Sequence, residues 1–235
     1  MRKICIFNQF NDTKVMLNSF ARLARKKKKV LYIDLRKTEQ KNKISNILNE
    51  DTNMLDFVVT LEPNLDYIQG DHKMNLHEFG SYYKIFDLKY FDTLNSVDYD
   101  YVVIEVNDVL SVLANNALFF ANEIIAVPNM NENGTEFIHK LARFTHQYNK
   151  IYGKNIFISN VIPVFSDKID RVKHDYLISE FNSDLIAESV SLKEFEKYFD
   201  KIAISVVNVE KQFVNLNNKE KQKFIQEYLS YIQVK

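Results

Sequence analysis

Apolar positions in this chain fall into two kinds of stretch, and the two alternate. The first kind is short and unbroken: ICIF (4–7), VLYIDL (30–35), DYDYVVIEV (98–106), EIIAVP (123–128) and NIFISNVI (155–162). Each is too short for a stable helix and rich in β-formers, which predicts strands. Unbroken rather than alternating runs imply strands covered on both faces, as in a parallel sheet. The second kind repeats its apolar residues every three or four positions. It predicts helices over about 13–27, 82–94, 109–121, 135–149, 170–181 and 219–232. In the first of these the repeating residues are Val15, Leu17, Phe20, Leu23 and Ala24. Ile44, Ile47 and Leu48 share one helical face, and the apolar run 54–61 is stopped by Pro63. Shorter strands are expected in NLDYIQG (64–70), SDLIAESV (183–190) and IAISVVN (202–208). Ser191 and Glu194 stand at capping-box spacing, which starts a further helix. Strand–helix–strand units at this spacing make parallel βαβ crossovers. The whole pattern predicts one domain over 1–235: a doubly wound, mostly parallel α/β sheet with helices on both faces.

Composition sharpens this without changing it. Of 235 residues 46% are apolar and 26% charged, enough for a sizeable core. Acidic and basic residues number 31 each, so no global field draws the chain to nucleic acid or an anionic membrane. Cys5 is the single cysteine, excludes an intrachain disulfide and suits a reducing compartment. The opening MRKICIFNQF has too short an apolar core for a signal peptide, and no run reaches transmembrane length. A cytoplasmic protein without stable membrane insertion is expected.

In a βαβ unit the loop after the first strand, at the helix N-terminus, is where phosphates bind. Here that loop is Asn8-Gln9-Phe10-Asn11-Asp12, and the first of only four glycines is Gly70. The frame of a nucleotide-binding fold is present, while the segment that would hold the nucleotide lacks the glycines that allow close backbone approach.

The order of the pieces resembles the ParA/MinD family, the deviant-Walker P-loop ATPases that position DNA, division machinery and other cargo. The first strand with Asn8-Gln9, the helix bearing Asn18 and KKVLYIDL ending in Asp34 look like that family's opening. DYDYVVIEV resembles its Walker B strand, with Glu105 where an aspartate is usual. NNALFFANEIIAVPNMNENGTEFIHKL resembles the next helix–strand–helix unit, and IFISN the segment whose asparagine, here Asn160, contacts adenine. The resemblance covers nearly the whole chain. It implies a P-loop NTPase-like fold, ATP and Mg²⁺ as ligands, and a dimer in which ATP bridges two protomers.

The family's loop reads KGGVGKT[T/S], and this chain departs from it. Alignment back from Asp34 puts Thr13 at the magnesium hydroxyl and Asp12 at the lysine. Alignment forward from the first strand puts Lys14 at the lysine, with Val15 and Met16 in place of the hydroxyl pair. A carboxylate about 5 Å from a phosphate charge costs roughly 3 kcal/mol at an effective dielectric near 20. Loss of the lysine removes a comparable attraction, and affinity would fall by several powers of ten. Asp12-Thr13 also reads simply as a helix N-cap. Asn11, Asp12, Thr13, Lys14 and Asn160 are therefore the positions of a remnant nucleotide site. Asp34 and Glu105 are remnants of the acids that place metal and water, and Arg36 replaces the family's second acid. Asn160 alternatively reads as a turn residue after its strand.

Other features carry a plain reading beside a functional one. The run Arg25-Lys26-Lys27-Lys28-Lys29 fits a solvated helix end, where cations complement the dipole. Lys168, Arg171, Lys173 and His174 form a basic cluster that could meet nucleic acid, diluted by Asp167, Asp170 and Asp175. His72 and His77 have no neighbouring cysteine to complete a metal site, and His139 and His146 fall on one helix. The last helix suits core packing better than a bilayer surface. The function expected is a non-catalytic ParA/MinD-like adaptor for positioning or partition, with no cofactor. It would work as a homodimer, with an active paralogue, or with a cargo or scaffold protein. The alternative is an atypical ATPase with a rebuilt loop using Thr13, Lys14, Asp34 and Glu105; a nucleotide-independent DNA-partition accessory is the third reading.

Overall fold

A computed structural model of the chain describes residues 1–10, 14–36, 55, 58–69, 97–107, 109, 112–166, 168–180, 186–187, 189–195 and 201–203. The expected helices over 82–94 and 219–232, the face of Ile44, Ile47 and Leu48, and the histidines His72 and His77 lie outside these residues.

In chain order the elements are β1 (Arg2–Asn8), α1 (Val15–Arg25), β2 (Val30–Asp34), β3 (Val59–Glu62), β4 (Leu65–Gln69) and β5 (Tyr101–Val106). Then follow α2 (Val112–Phe120), β6 (Glu123–Val127), α3 (Gly134–Tyr152), β7 (Phe157–Val161) and β8 (Val164–Phe165). The last described elements are α4 (Arg171–Glu180), β9 (Val190–Ser191) and α5 (Leu192–Phe195). Seven strands form one sheet in the order β3-β4-β2-β5-β1-β6-β7, all parallel except the β3–β4 pair. A small parallel pair, β8–β9, stands beside it.

The unbroken apolar runs are explained by two cores. Successive residues of a strand point to opposite faces. Cys5 and Phe7, Leu31 and Ile33, Val102 and Ile104 pack on one side with Ala117, Leu118, Ile138 and Leu141 of α2 and α3. Ile4 and Ile6, Val30 and Tyr32, and Val103 pack on the other with Met16, Phe20, Leu23 and Ala24 of α1. Helices therefore cover both faces.

The apolar run 54–61, to which no element was assigned, contains most of an edge strand, β3, whose Val59 and Leu61 are exposed. Two sequence expectations are corrected. Ile202 and Ala203, read as the start of a strand, are helical and buried in the α1-side core. Asn160 lies inside β7 and is buried, so it is not a turn residue. The capping box does form. The Glu194 amide donates to Ser191 Oγ at 3.3 Å, and the Ser191 amide donates back to Glu194 Oε2 at 3.2 Å. The α3 helix runs three residues further than its pattern suggests and stops at Gly153, whose φ of 62° is left-handed. At its other end a Cβ on Gly134 would lie 2.7 Å from the Asn129 carbonyl oxygen, so only glycine fits there.

The basic run closes α1 as expected of a helix end. Lys27 takes a left-handed turn (φ 64°), Arg25 pairs with Glu62 at 3.0 Å, and Lys29 bonds Asp98.

Candidate functional site

Strands β2, β5 and β1 are neighbours, and each ends its C-terminal half in a polar residue: Asp34, Glu105 and Asn8. Asp34 and Glu105 are register partners, so the two carboxylates the sequence singled out stand side by side. All three side chains are buried, Glu105 and Asn8 completely. Polar groups at such depth need partners, and they find them in Arg36 and in two tyrosines, Tyr32 and Tyr67, that the sequence reading had not joined to the site.

Arg36 is the centre of this arrangement. Only 3% exposed, its guanidinium donates from Nε and Nη2 to the two oxygens of Asp34, at 3.0 and 2.8 Å. The same Nε lies 3.2 Å from Glu105 Oε2, and Nη1 donates to the Phe10 carbonyl at 3.2 Å. Glu105 Oε1 accepts from Asn8 Nδ2 at 2.7 Å, and Oε2 from the Tyr32 hydroxyl at 2.5 Å. The Tyr67 hydroxyl reaches Asp34 Oδ2 at 3.4 Å. One fixed positive charge thus faces two acids. Burial, with Asp34 adding to it, pushes the Glu105 carboxyl up to about 7, although Arg36, Tyr32 and Asn8 all pull it down. The hydroxyls of Tyr32 and Tyr67 are raised by burial and by the same carboxylates, so they stay protonated and donate to them.

A pH dependence follows, and its sign is fixed. A carboxyl near 4.5 unfolded and about 7 folded binds its proton more tightly in the native state. Its contribution is fully present below about 4.5 and lost as pH rises through 7. Urea midpoints of the wild type minus those of Glu105→Gln, taken from pH 4.5 to 8, are expected to fall with rising pH; a flat difference would contradict the burial of an ionisable Glu105.

The loop after β1 is tied to this cluster and to β6. The Gln9 amide donates to the Val127 carbonyl at 3.1 Å, and Gln9 Oε1 accepts from the Asn129 amide at 2.7 Å. The Phe10 amide donates to Asn8 Oδ1 at 2.9 Å, and the Phe10 ring packs 6.1 Å from that of Phe195. Lys14 is exposed and occupies the N-cap position of α1 without a side-chain cap bond. Asn11, Asp12 and Thr13 lie outside the described residues. Asn160 sits at the same end of the sheet but on β7, beyond β1 and β6 from Glu105.

The remaining candidates separate. Lys173 Nζ donates to the Met130 carbonyl at 3.0 Å and His174 bonds Ser189, while Lys168 and Arg171 stay exposed beside exposed Val172. Asp170 Oδ1 accepts the Val172 and Lys173 amides at the start of α4, so this acid caps a helix within the basic cluster. Among the described residues no group of three or more His, Cys, Asp or Glu could hold a metal ion. His139 and His146 are half-buried on α3. No helix among them is long and apolar enough to cross a membrane.

Strand order and crossovers give a doubly wound, mostly parallel sheet, a P-loop NTPase-like fold similar to that of ParA/MinD-type solved structures. A plasmid partition protein from Borrelia burgdorferi superposes with a TM-score of 0.68 at 21% identity, over 89% of this chain and 100% of its own. Cobyrinic acid a,c-diamide synthase from Mycobacterium smegmatis, with a bound ATP analogue and magnesium, gives 0.64 at 15% identity, over 90% and 96%. Apo McdA from Cyanothece gives 0.64 at 14% identity, over 97% and 99%. No protein-family model matches the chain, and no curated protein matches its sequence.

Proposed function

We propose that this chain is a non-catalytic ParA/MinD-like protein, a positioning or partition adaptor that works through protein–protein contacts. Its partners would be a second copy, an active paralogue, or a cargo or scaffold protein, and it needs no cofactor. The plasmid partition protein among the structural neighbours supports a partition role, while the synthase among them is a different use of the same fold.

The observation that supports loss of catalysis is where the amides of Gln9 and Phe10, the described part of the loop, go. A phosphate cradle is built from free backbone N–H groups at the helix N-terminus. Here the Gln9 amide is spent on Val127 and the Phe10 amide on Asn8, while the Phe10 carbonyl is held by Arg36. A triphosphate would have to displace these bonds, each worth about 1 kcal/mol net, and would gain no glycine-lined approach in return.

Calorimetric titration with MgATP, paired with a phosphate-release assay and light scattering, tests this. No saturable heat, no turnover and the same state of association with and without nucleotide are the expected results. Saturable binding below about 100 µM, in the range of specific ligands, with turnover lost in Asp34→Ala, would instead establish the atypical ATPase.

A further inference from the structure

The fold family implies a divalent cation near Asp34 and Glu105, and the residues present do not fit one. Mg²⁺ demands oxygen lone pairs at about 2.1 Å in near-octahedral geometry and keeps several of its waters. All four carboxylate oxygens already accept hydrogen bonds from inside the chain. Asp34 Oδ1 takes the Arg36 amide and Nε, and Oδ2 takes Nη2 and Tyr67. Glu105 Oε1 takes Asn8, and Oε2 takes Tyr32 with Arg36 Nε alongside.

We infer that Arg36 is a tethered cation standing in for a divalent ion, so that the Asp34–Glu105 pair takes no metal and is neutralised from within. Three features of the geometry carry this. The guanidinium faces both acids at once, which is what a bridging cation does. Its two parallel bonds to Asp34 form the fork that guanidinium makes and an ammonium cannot. Its remaining arm reaches the Phe10 carbonyl, so the same group also closes the loop after β1. Removing the guanidinium would leave two register-paired carboxylates with Asn8 and two tyrosine hydroxyls close by. That is an oxygen-rich, net-negative pocket suited to Mg²⁺ or Mn²⁺. The pair therefore holds a latent metal site that Arg36 suppresses.

This deepens the reading of a closed nucleotide site, and a titration without nucleotide separates the two. Mn²⁺ alone is added to the full chain and followed by loss of the free six-line electron paramagnetic signal. Wild type and Arg36→Lys are expected to show no saturable site up to about 1 mM, the weak end of specific binding. Arg36→Gln is expected to gain one site, to melt higher with Mn²⁺ than with chelator, and to lose both effects when Glu105→Gln is added. If Arg36→Gln folds only with metal, recovery of native circular dichroism on refolding in Mn²⁺ reports the same gain. A saturable wild-type site abolished by Asp34→Asn would overturn the inference whatever the variants do. So would an Arg36→Gln protein that folds and binds no Mn²⁺.

Discussion

Arg36→Ala is expected to destabilise the chain by about 3–5 kcal/mol, the usual cost of removing one partner from a buried ion cluster. The truncation does more than delete contacts. It strands Asp34 and Glu105 next to each other in a site that water does not reach, with Glu105 fully buried and Asp34 nearly so. Tyr67 and Tyr32 still donate to them, but neither carries charge. The loop also loses its tether, because Phe10 gives up the bond from Arg36 Nη1. Urea denaturation at pH 7.5 reads the effect directly. Arg36→Lys keeps the charge without the fork and should fall between the variant and the wild type. An alanine variant within about 1 kcal/mol of wild type, the range of exposed ion pairs, would mean that the cluster is solvated in solution.

Phe20→Ala should cost a similar amount, about 3–5 kcal/mol, for a different reason. Phe20 is fully buried on the inner face of α1, with its ring 5.9 Å from that of Tyr32 and 6.2 Å from that of Tyr101. Those two tyrosines belong to β2 and β5, the strands that carry Asp34 and Glu105. Losing the ring opens a cavity between α1 and the strands that carry the acid pair, and loosens the packing of α1 on them. The same urea series measures the loss, and a cost below about 1.5 kcal/mol would mean that the site collapses around the gap.

The fold was legible because burial on both faces leaves a plain mark in the sequence: β1, β2, β5 and β6 carry unbroken apolar runs, and β7 one interrupted only by Ser159 and Asn160. Where that condition fails, legibility fails. β3 is an edge strand whose Val59-Thr60-Leu61-Glu62 alternates over only four residues and leaves Val59 and Leu61 exposed, so it makes no buried run. Ile202 and Ala203 illustrate the opposite trap, since a short buried helix segment and a buried strand look alike in periodicity. For the site, Asp34 and Glu105 were legible through the resemblance to the ParA/MinD opening and Walker B strand. Arg36 was legible as the replacement of the second acid, but its pairing was not, because it acts across two strands through a long side chain, and Tyr32 is hidden in an apolar run. One signal was available in retrospect. Asn8, Asp34 and Glu105 are polar residues at the ends of strands that the doubly wound order places side by side, and buried polar groups seek one another.

The central claim is that the two described amides of the loop after β1, those of Gln9 and Phe10, are already bonded inside the chain and are not given to a phosphate. Its most direct test is the ¹⁵N spectrum of the full chain with the Gln9 and Phe10 amides and the Arg36 Nε–H assigned, recorded as millimolar MgATP is added. All three resonances are expected to stay where they are. Saturable displacement of the two amides, together with movement of the Arg36 signal, would contradict the claim.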